Sequence, residues 1–420
     1  MECSEPSSSP RGSSSFQFVV GIDIGSEVCS FCVLNQDKSQ VIKPTEFGNA
    51  TPGFALLTKK LEGLGSSPKQ VLIGLEATSR YGENLYHHLE NLGYHLCLLH
   101  PRQTHSFAQQ RGLRAKTDKL DASTIARLLL SGEARHGYVP SELITTYREL
   151  VRLHTQLQDE GARYKNEIHA LLSVLFPEIG QVFIDPCRPT ALGLLKCYPS
   201  AQAIAGAGVD AIAAILHELA PRSYGRRTAE QLVQLAQQSV SSAIAISARS
   251  TTLKILCDQL EHTQKNRAQL EEEIDTLIEH DDDIKGLKSV PEFGRKMIAV
   301  LRAELGDVAR FQHIDQVVAY AGMDIEVKES GKWRGQVKLS KRGSGRLRQI
   351  LYMTAVRCVR LKNSAFGAYY HRLVTRGMKA REALVAVMRK MLIIASHLMK
   401  TGEMYDSAKV GAPSVIQPRG

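Results

Sequence analysis

The chain has no second cysteine pair, no apolar run of membrane-spanning length and no internal repeat. Its eight cysteines are scattered, and only Cys29 and Cys32 stand close, with no histidine nearby. A zinc site needs about four ligands, so this CxxC reads as small strand residues in a reducing cytoplasm. No apolar run reaches the roughly 20 residues that cross a bilayer, so no membrane partner is expected. Met1 to Ser15 is rich in Ser and Pro but lacks an apolar core, and reads as a disordered leader rather than a signal peptide. Hydrophobic residues at 43% and charged residues at 23% are those of a globular protein. The 420 residues allow two or three domains of about 150 each.

Acidic residues are scarce in one stretch only. Residues 321–400 carry 18 Lys and Arg against 4 Asp and Glu, a net +14. The whole chain is +10, so the remainder sums to −4. A solvated helix face mixes both signs, whereas segregation of this size points to a polyanion-binding surface.

Along the chain, Phe16 to Asp37 alternates apolar residues on either side of a Gly-Ser turn, the pattern of a β-hairpin. Val71–Leu75 and Tyr94–Leu99 read as buried strands, and Tyr81–Leu92 and Ala122–Leu130 as helices, the last opening near Asp118 to Asp121. Strands alternating with helices predict an α/β layer. Beyond Pro140, Leu150, Leu153, Leu157, Tyr164, Ile168, Leu171 and Leu175 mark a long amphipathic helix with Gly161 in its seam. Ala201–Leu235 reads as short helices. Ser247–His280 reads as a second long helix, with Leu253, Leu260, Leu270, Ile274 and Leu277 as its stripe. These two long helices can pair within one chain or as a coiled coil between chains. The acidic run Asp281 to Asp283 reads as a solvated helix terminus. Leu287 to Gly294 followed by the helix Met297–Leu305 has the outline of a helix-hairpin-helix element, whose turn amides would face a DNA phosphate. Its first turn glycine is replaced by Glu292, and a plain helix connection fits equally.

Four carboxylates carry the clearest chemical signal. Asp23 closes the first strand, in GIDIGS, and Glu76 follows the strand VLIGL. Asp118 and Asp121 are spaced i, i+3 and share a helix face. Singly, each has a structural reading as a cap or first-turn acid. Together, converging carboxylates repel unless a cation joins them, and hard oxygen ligands suit Mg²⁺ or Mn²⁺. Two such ions stabilise both the attacking and the leaving oxygen at a phosphodiester. Arg111, Arg114, Lys116 and Lys119 surround the last pair and offer phosphate contacts.

GIDIGS, GLEATSRYGENLYHHL and HPRQTHSFAQQRGLRAKTDKLDASTIARLL together resemble the N-terminal domain of the DEDD insertion-sequence transposases, the IS110 group related to the Piv DNA invertase. A second block, AYAGMDIEVKESGKWRGQVKLSKRGSGRLRQILYMTAV, resembles that family's transposase domain. The resemblance runs from about Phe16 to Lys400. It implies an α/β plus α architecture: a RuvC-like, RNase H-type metal-binding domain over 16–140, a helical coiled-coil connector over 141–284 and a basic, mostly helical transposase domain over 285–403. The leader, 1–15, and a flexible tail, 404–420, complete that division. It implies Asp23, Glu76, Asp118 and Asp121 as the catalytic acids, holding Mg²⁺ or Mn²⁺.

The basic block contains Ser340 in KLSKRGS, beside Lys338, Lys341, Arg342, Arg346 and Arg348. A serine hydroxyl is a poor nucleophile unless a base or metal activates it and cations stabilise the developing charge. From the residues alone, Ser340 reads equally as a phosphate donor or a cap. The resemblance implies a catalytic serine in this block, matched here by Ser340, with Ser330 and Ser344 as neighbours. It further implies a composite site, serine attack with a covalent phosphoserine link to DNA, and a homo-oligomer, dimer or tetramer. The partners it implies are element ends and target DNA. In some members a structured element-encoded RNA directs the reaction, which would take place in a bacterial cytoplasm, at the nucleoid. Trp333, the single tryptophan, sits between Lys332 and Arg334, where it can stack on a base or edge a core. Met388, Met391 and Met399 read as core.

Two enzyme classes compete. GIDIGS also resembles the first phosphate loop of actin-like sugar kinases and ATPases, but the second Asp-Gly phosphate loop and the Gly-rich adenosine loop are missing. A RuvC-like endonuclease would use the same four acids with water as nucleophile and would not need Ser340.

Overall fold

The computed structural model describes residues 16–76, 80–110, 118–135, 137–242, 244–326, 329–330, 333–334 and 338–411. The leader therefore lies outside the described residues. The chain divides between Val139 and Pro140 into two units.

The first unit is a five-stranded mixed sheet with helices on both faces. Strands β1 (Phe18–Asp23), β2 (Val28–Asn35) and β3 (Gln40–Gly48) form an antiparallel meander. Helix α1 (Thr51–Glu62) leads to β4 (Val71–Glu76), which adds parallel to β1, and α2 (Glu83–Asn91) leads to the parallel β5 (His95–Leu99). The strand order is β3-β2-β1-β4-β5. Helices α3 (Pro101–Gln110) and α4 (Asp118–Leu130) follow. The strands alternate their side chains between two cores. Val20, Ile22, Ile73 and Leu75 meet Leu57 and Leu61 of α1 and Leu85 and Leu89 of α2. Val19, Leu72 and Leu99 meet Phe107 of α3 and Ile125 and Leu129 of α4. Full burial of each such leucine stabilises the fold by about 1.5–3 kcal/mol. Cys29 joins the first core and Cys32 the second. The CxxC thiols therefore point to opposite faces of β2 and cannot share a ligand. Seven cysteines are described, all free thiols, and Cys197 alone among them is exposed.

The second unit is almost wholly helical. Helix α5 (Glu142–Leu175) pairs antiparallel with α9 (Ile246–His280), past α6 (Pro189–Cys197), α7 (Ala201–Leu219) and α8 (Arg226–Gln237). The long helices thus form a hairpin within one chain, with Gly161 facing Leu260 and Thr263. The apolar-run expectation needs correcting, because α7 is long and apolar enough by composition to cross a membrane. Only a minority of its residues are buried. It kinks at Gly208, carries Asp210 paired to Arg226 at 2.7 Å, and buries Ile204, Ile212 and Leu216 in a core with α6 and α8.

After α10 (Lys285–Lys288) come α11 (Arg295–Leu305) and α12 (Ile314–Tyr320). Two short ribbons follow: β6 (Ile325–Glu326) pairs β9 (Lys338–Leu339), and β7 (Glu329–Ser330) pairs β8 (Trp333–Arg334). Helices α13 (Gly345–Arg360), α14 (Ala365–Thr375), α15 (Ala380–Thr401) and α16 (Ala408–Gly411) complete the unit. Met388, Met391 and Met399 lie in its core, as their spacing predicts.

Two expectations change here. The acidic run is a solvated terminus only in part: Asp282 and Asp283 are exposed, but Asp281 is buried against the buried Arg302 guanidinium at 2.8 Å, which Asp283 also meets at 2.6 Å. Nor is the whole of 404–420 loose. Val410 is buried, the Tyr405 ring stacks on Phe366, and the Tyr405 amide donates to the Ser289 hydroxyl at 2.8 Å.

Candidate functional site

The site in the first unit is built by the sheet's strand ends. Ile22 of β1 is paired with Leu75 of β4, and the next residues are Asp23 and Glu76. Two carboxylates therefore stand at the same end of adjacent parallel strands, both half-buried. Helix α4 supplies the third. Ideal Cβ atoms at Gly21 and Gly74 would lie 2.1 Å from the Ala122 carbonyl and 2.6 Å from the Leu129 side chain. Only glycine lets the helix lie this close to the strands. Ala122, the residue after the half-buried Asp121, is thereby held against Gly21 of β1. Asp118 opens the same helix.

Around these acids the local chemistry is polar and ordered. The Thr104 hydroxyl of α3 donates to Glu76 Oε2 at 2.7 Å, which fixes the rotation of the carboxylate. Burial pushes the Cys29 thiol up, and the charge of Asp23 adds to that rise. This donor set, hard carboxylate oxygens with one oriented by a hydroxyl, fits Mg²⁺ or Mn²⁺. Sequence reasoning missed Thr104, because nothing in HPRQT marks a partner 28 residues from Glu76. Arg111, Arg114 and Lys116 lie outside the described residues, and so do the side chains of Asp118, Lys119, Ser330, Trp333 and Lys338.

In the second unit, Ser340 sits just after β9 at a tight crossing of two loops. A Cβ at Gly343 would fall 1.9 Å from the Tyr320 carbonyl, so only glycine fits there. The Ser340 hydroxyl donates to the Asp324 carboxylate, and the Ser340 amide donates to the Asp324 carbonyl at 3.0 Å. Lys341 takes a left-handed conformation, φ 53°, and its amide donates to the Gly322 carbonyl at 3.2 Å. Asp324 was missed by the sequence reading, though it is one of only four acids in residues 321–400.

The basic residues of this block divide into two kinds. Lys341, Arg342 and Arg346 are exposed. Arg348, expected on phosphate, instead clamps the loop crossing, donating to the carbonyls of Ala321 at 3.0 Å and Gly343 at 2.8 Å. Ser344 is the N-cap of α13, its hydroxyl accepting from the Leu347 amide at 3.2 Å.

The turn of the helix-hairpin-helix outline is partly bonded from within. The Ser289, Val290 and Phe293 amides are bonded within the turn itself, and Pro291 has none. The buried Glu292 accepts from the Ser364 hydroxyl at 2.8 Å, and its carbonyl accepts from Arg357. The turn is fastened to α13 and α14 through Glu292. Elsewhere among the described residues, His169, Asp185 and Cys187 bring potential ligand atoms within 4.8 Å of one another. They belong to the helical unit and not to the strand-end carboxylates.

Comparison with known proteins matches two segments of the chain, the first of which continues past Val139 into the helical unit. Residues 20–177 match the DEDD transposase family model of IS110 elements. Residues 285–371 match the model of the IS116/IS110/IS902 transposase family. The chain is 26% identical to the insertion element IS110 uncharacterized 43.6 kDa protein of Streptomyces coelicolor, over 70% of this chain and 73% of that protein. It is 23% identical to the pilin gene-inverting protein of Moraxella lacunata, over 92% of this chain and 97% of that protein. It is 22% identical to the insertion element IS116 uncharacterized 44.8 kDa protein of Streptomyces clavuligerus, over 70% and 73%.

Proposed function

The chain carries the transposase domains of the IS110/IS116/IS902 insertion-element family, and on that premise we propose a DNA recombinase that joins strands through a metal-assisted serine nucleophile. The N-terminal unit is read as an RNase H-type, RuvC-like domain. Support comes from its strand order, β3-β2-β1-β4-β5, with acids at the ends of the two central strands. The observation that carries the reading is that β1 and β4, which end in Asp23 and Glu76, are neighbouring paired strands, with α4, which carries Asp121, packed close on Gly21 of β1.

Asp23, Glu76, Asp118 and Asp121 would hold Mg²⁺ or Mn²⁺, which when bound polarises the phosphodiester and stabilises the leaving oxygen. Thr104 keeps one Glu76 oxygen in a hydrogen bond and so orients the other. Ser340 is the proposed nucleophile, with Asp324 as the acceptor of its proton. The bond from Ser340 Oγ to phosphorus forms, the bond from phosphorus to the departing strand oxygen breaks, and that oxygen is protonated on release. The energy of the broken ester is kept in the phosphoserine link, so rejoining needs no external energy source. Exposed Lys341, Arg342 and Arg346 would receive the phosphate backbone. Element ends and target DNA are the proposed substrates, acted on in the cytoplasm by a homo-oligomer, with a structured guide RNA as a further proposed partner.

The test is an SDS-resistant adduct assay with labelled element-junction DNA and Mg²⁺, retaining any RNA that co-purifies. Loss of the adduct in Ser340→Ala alone is the expected result. Loss in Ser330→Ala alone would move the nucleophile to Ser330 and leave the Ser340–Asp324 pair as a loop brace. Nicking without any adduct would establish the water-mediated, RuvC-like alternative. Asp121→Ala should abolish cleavage in every case, and intact cleavage would overturn the carboxylate assignment.

A further inference from the structure

One side-chain cluster of the helical unit has no part in strand transfer. His169 of α5, with Asp185 and Cys187 of the loop that enters α6, brings a ring nitrogen, a carboxylate oxygen and a thiol sulfur within 4.8 Å of one another. The loop fixes two of the three. The Arg188 amide donates to the Asp185 carbonyl at 3.1 Å, and the Cys187 amide donates to Asp185 Oδ1 at 3.0 Å. This is a tight turn with Pro186 inside it, and Pro189 then opens α6. The carboxylate and the thiol are therefore held two residues apart on one rigid turn.

The cluster sits at the border of a core. Cys187 is buried and packs in the core that holds Ile168, Leu172 and Phe183, so water reaches it from one side at most. Asp185 is half-buried, and His169, the residue after Ile168, is exposed. Among the described residues the His169 ring has no hydrogen-bond or ion-pair partner. The second oxygen of Asp185 meets Arg188 Nε at 3.7 Å, an ion pair open to solvent that contributes little. Two of the three donors are thus available to a ligand without breaking a strong contact.

Nitrogen, oxygen and sulfur together form a softer donor set than the all-oxygen acids of the strand ends. They suit Zn²⁺, which binds Cys at about 2.3 Å and His or carboxylate at about 2.0–2.2 Å in a tetrahedron. The ligand atoms of such a shell stand about 3.3–3.8 Å apart. Rotation of the exposed His169 side chain closes the remaining distance of about 1 Å.

We propose that His169, Asp185 and Cys187 form a zinc site of three protein ligands, with a fourth position open to water, that fastens the end of α5 to the turn before α6. On binding, bonds form from the ion to the His169 ring nitrogen, an Asp185 oxygen and Cys187 Sγ. The S–H bond breaks, and its proton passes to water. Thiolate and carboxylate then balance the two charges of the ion. Burial and the charge of Asp185 push the Cys187 thiol up to about 11, with Lys165 pulling against them, and a cation at the sulfur reverses that preference. The site shares no residue with the strand-end acids or with Ser340, so it does not rest on the recombinase reading.

The experiment titrates full-length, chelator-treated protein with Co²⁺, a spectroscopic stand-in for zinc, in a large excess of Mg²⁺ that occupies oxygen-only sites. One cobalt per chain should bind with a thiolate-to-cobalt charge-transfer band, and Zn²⁺ should displace it. Cys187→Ala should abolish the band. His169→Gln should weaken binding by more than about a hundredfold, beyond the 10–100-fold of an outer-shell change. Cys197→Ser, at the exposed thiol, should leave both unchanged. Zn²⁺ at about a hundredfold excess over its Kd should raise the Tm by about 3–8 °C, and that rise should vanish in His169→Gln. A wild type without the band would overturn the site. So would a band kept in His169→Gln and lost in Cys197→Ser, which is adventitious binding at a surface thiol. Binding with no rise in Tm would overturn the fastening and with it the proposal. If Cys187→Ala does not fold, His169→Gln, at an exposed position, carries the test.

Discussion

A missing side chain at Gly21 decides how closely α4 approaches β1. With Ala122 carbonyl oxygen 2.1 Å from an ideal Cβ, even alanine forces the helix off the strand. Gly21→Ala should destabilise the first unit by about 1–3 kcal/mol, in line with overpacked cores. It should also abolish cleavage while leaving strand binding by the basic segment intact. Urea melts and the adduct assay read the two effects separately. Asp23 and Glu76 were legible as candidates only as members of a set, because each ends an apolar strand and each alone also reads as a cap. Thr104 and Asp324 were not legible. Their partners are Glu76, 28 residues away, and Ser340, 16 residues away, and no periodicity links such pairs.

At the level of elements, the α5–α9 hairpin offers two quantitative checks. Gly161 lies inside α5 with helical neighbours, and a Cβ there would meet Thr263 at 3.7 Å, an ordinary contact. Glycine in a helix interior costs about 1 kcal/mol relative to alanine. Gly161→Ala should therefore raise stability by about 0.5–1 kcal/mol in denaturant melts. Seven residues earlier, His154 is buried and its ring meets the Glu271 carboxylate at 2.8 Å. Burial holds His154 below its ordinary value, against the opposing pull of Glu271. The unfolded chain then takes up a proton before the folded one does, so stability is lost as pH falls below about 6.5. The fall in Tm between pH 7 and pH 5 should shrink in His154→Phe. A variant with the same pH profile as wild type would show that the ring does not titrate as buried. The long helices were readable from their apolar stripes, and so were β1, β2, β4 and β5. Strand β3, with most of its residues exposed or half-buried, and α3, with few apolar positions, lack the periodicity that marks the others. The fate of the Asp281–Asp283 run was also hidden, since its partner Arg302 looks like one more helix-surface cation until the fold buries it.

Over the whole molecule, charge and architecture are segregated. Acids at strand ends belong to one unit and the cation-rich stretch to the other, which is why net charge alone said less than its distribution. The two units also carry their own thiols. Cys29, Cys32 and Cys97 are buried in the first, and Cys187, Cys257 and Cys358 in the second. Burial pushes Cys97 and Cys257 up to about 12, and Cys187 and Cys358 up to about 11, so almost no thiolate is present at neutral pH. The chain thus holds a set of silent clocks, three in each half, that start only when their own half opens. Pulsed alkylation followed by mass spectrometry, in rising urea, should label Cys197 at once and the two triplets as separate cohorts. A single cohort of six would mean that the halves breathe as one.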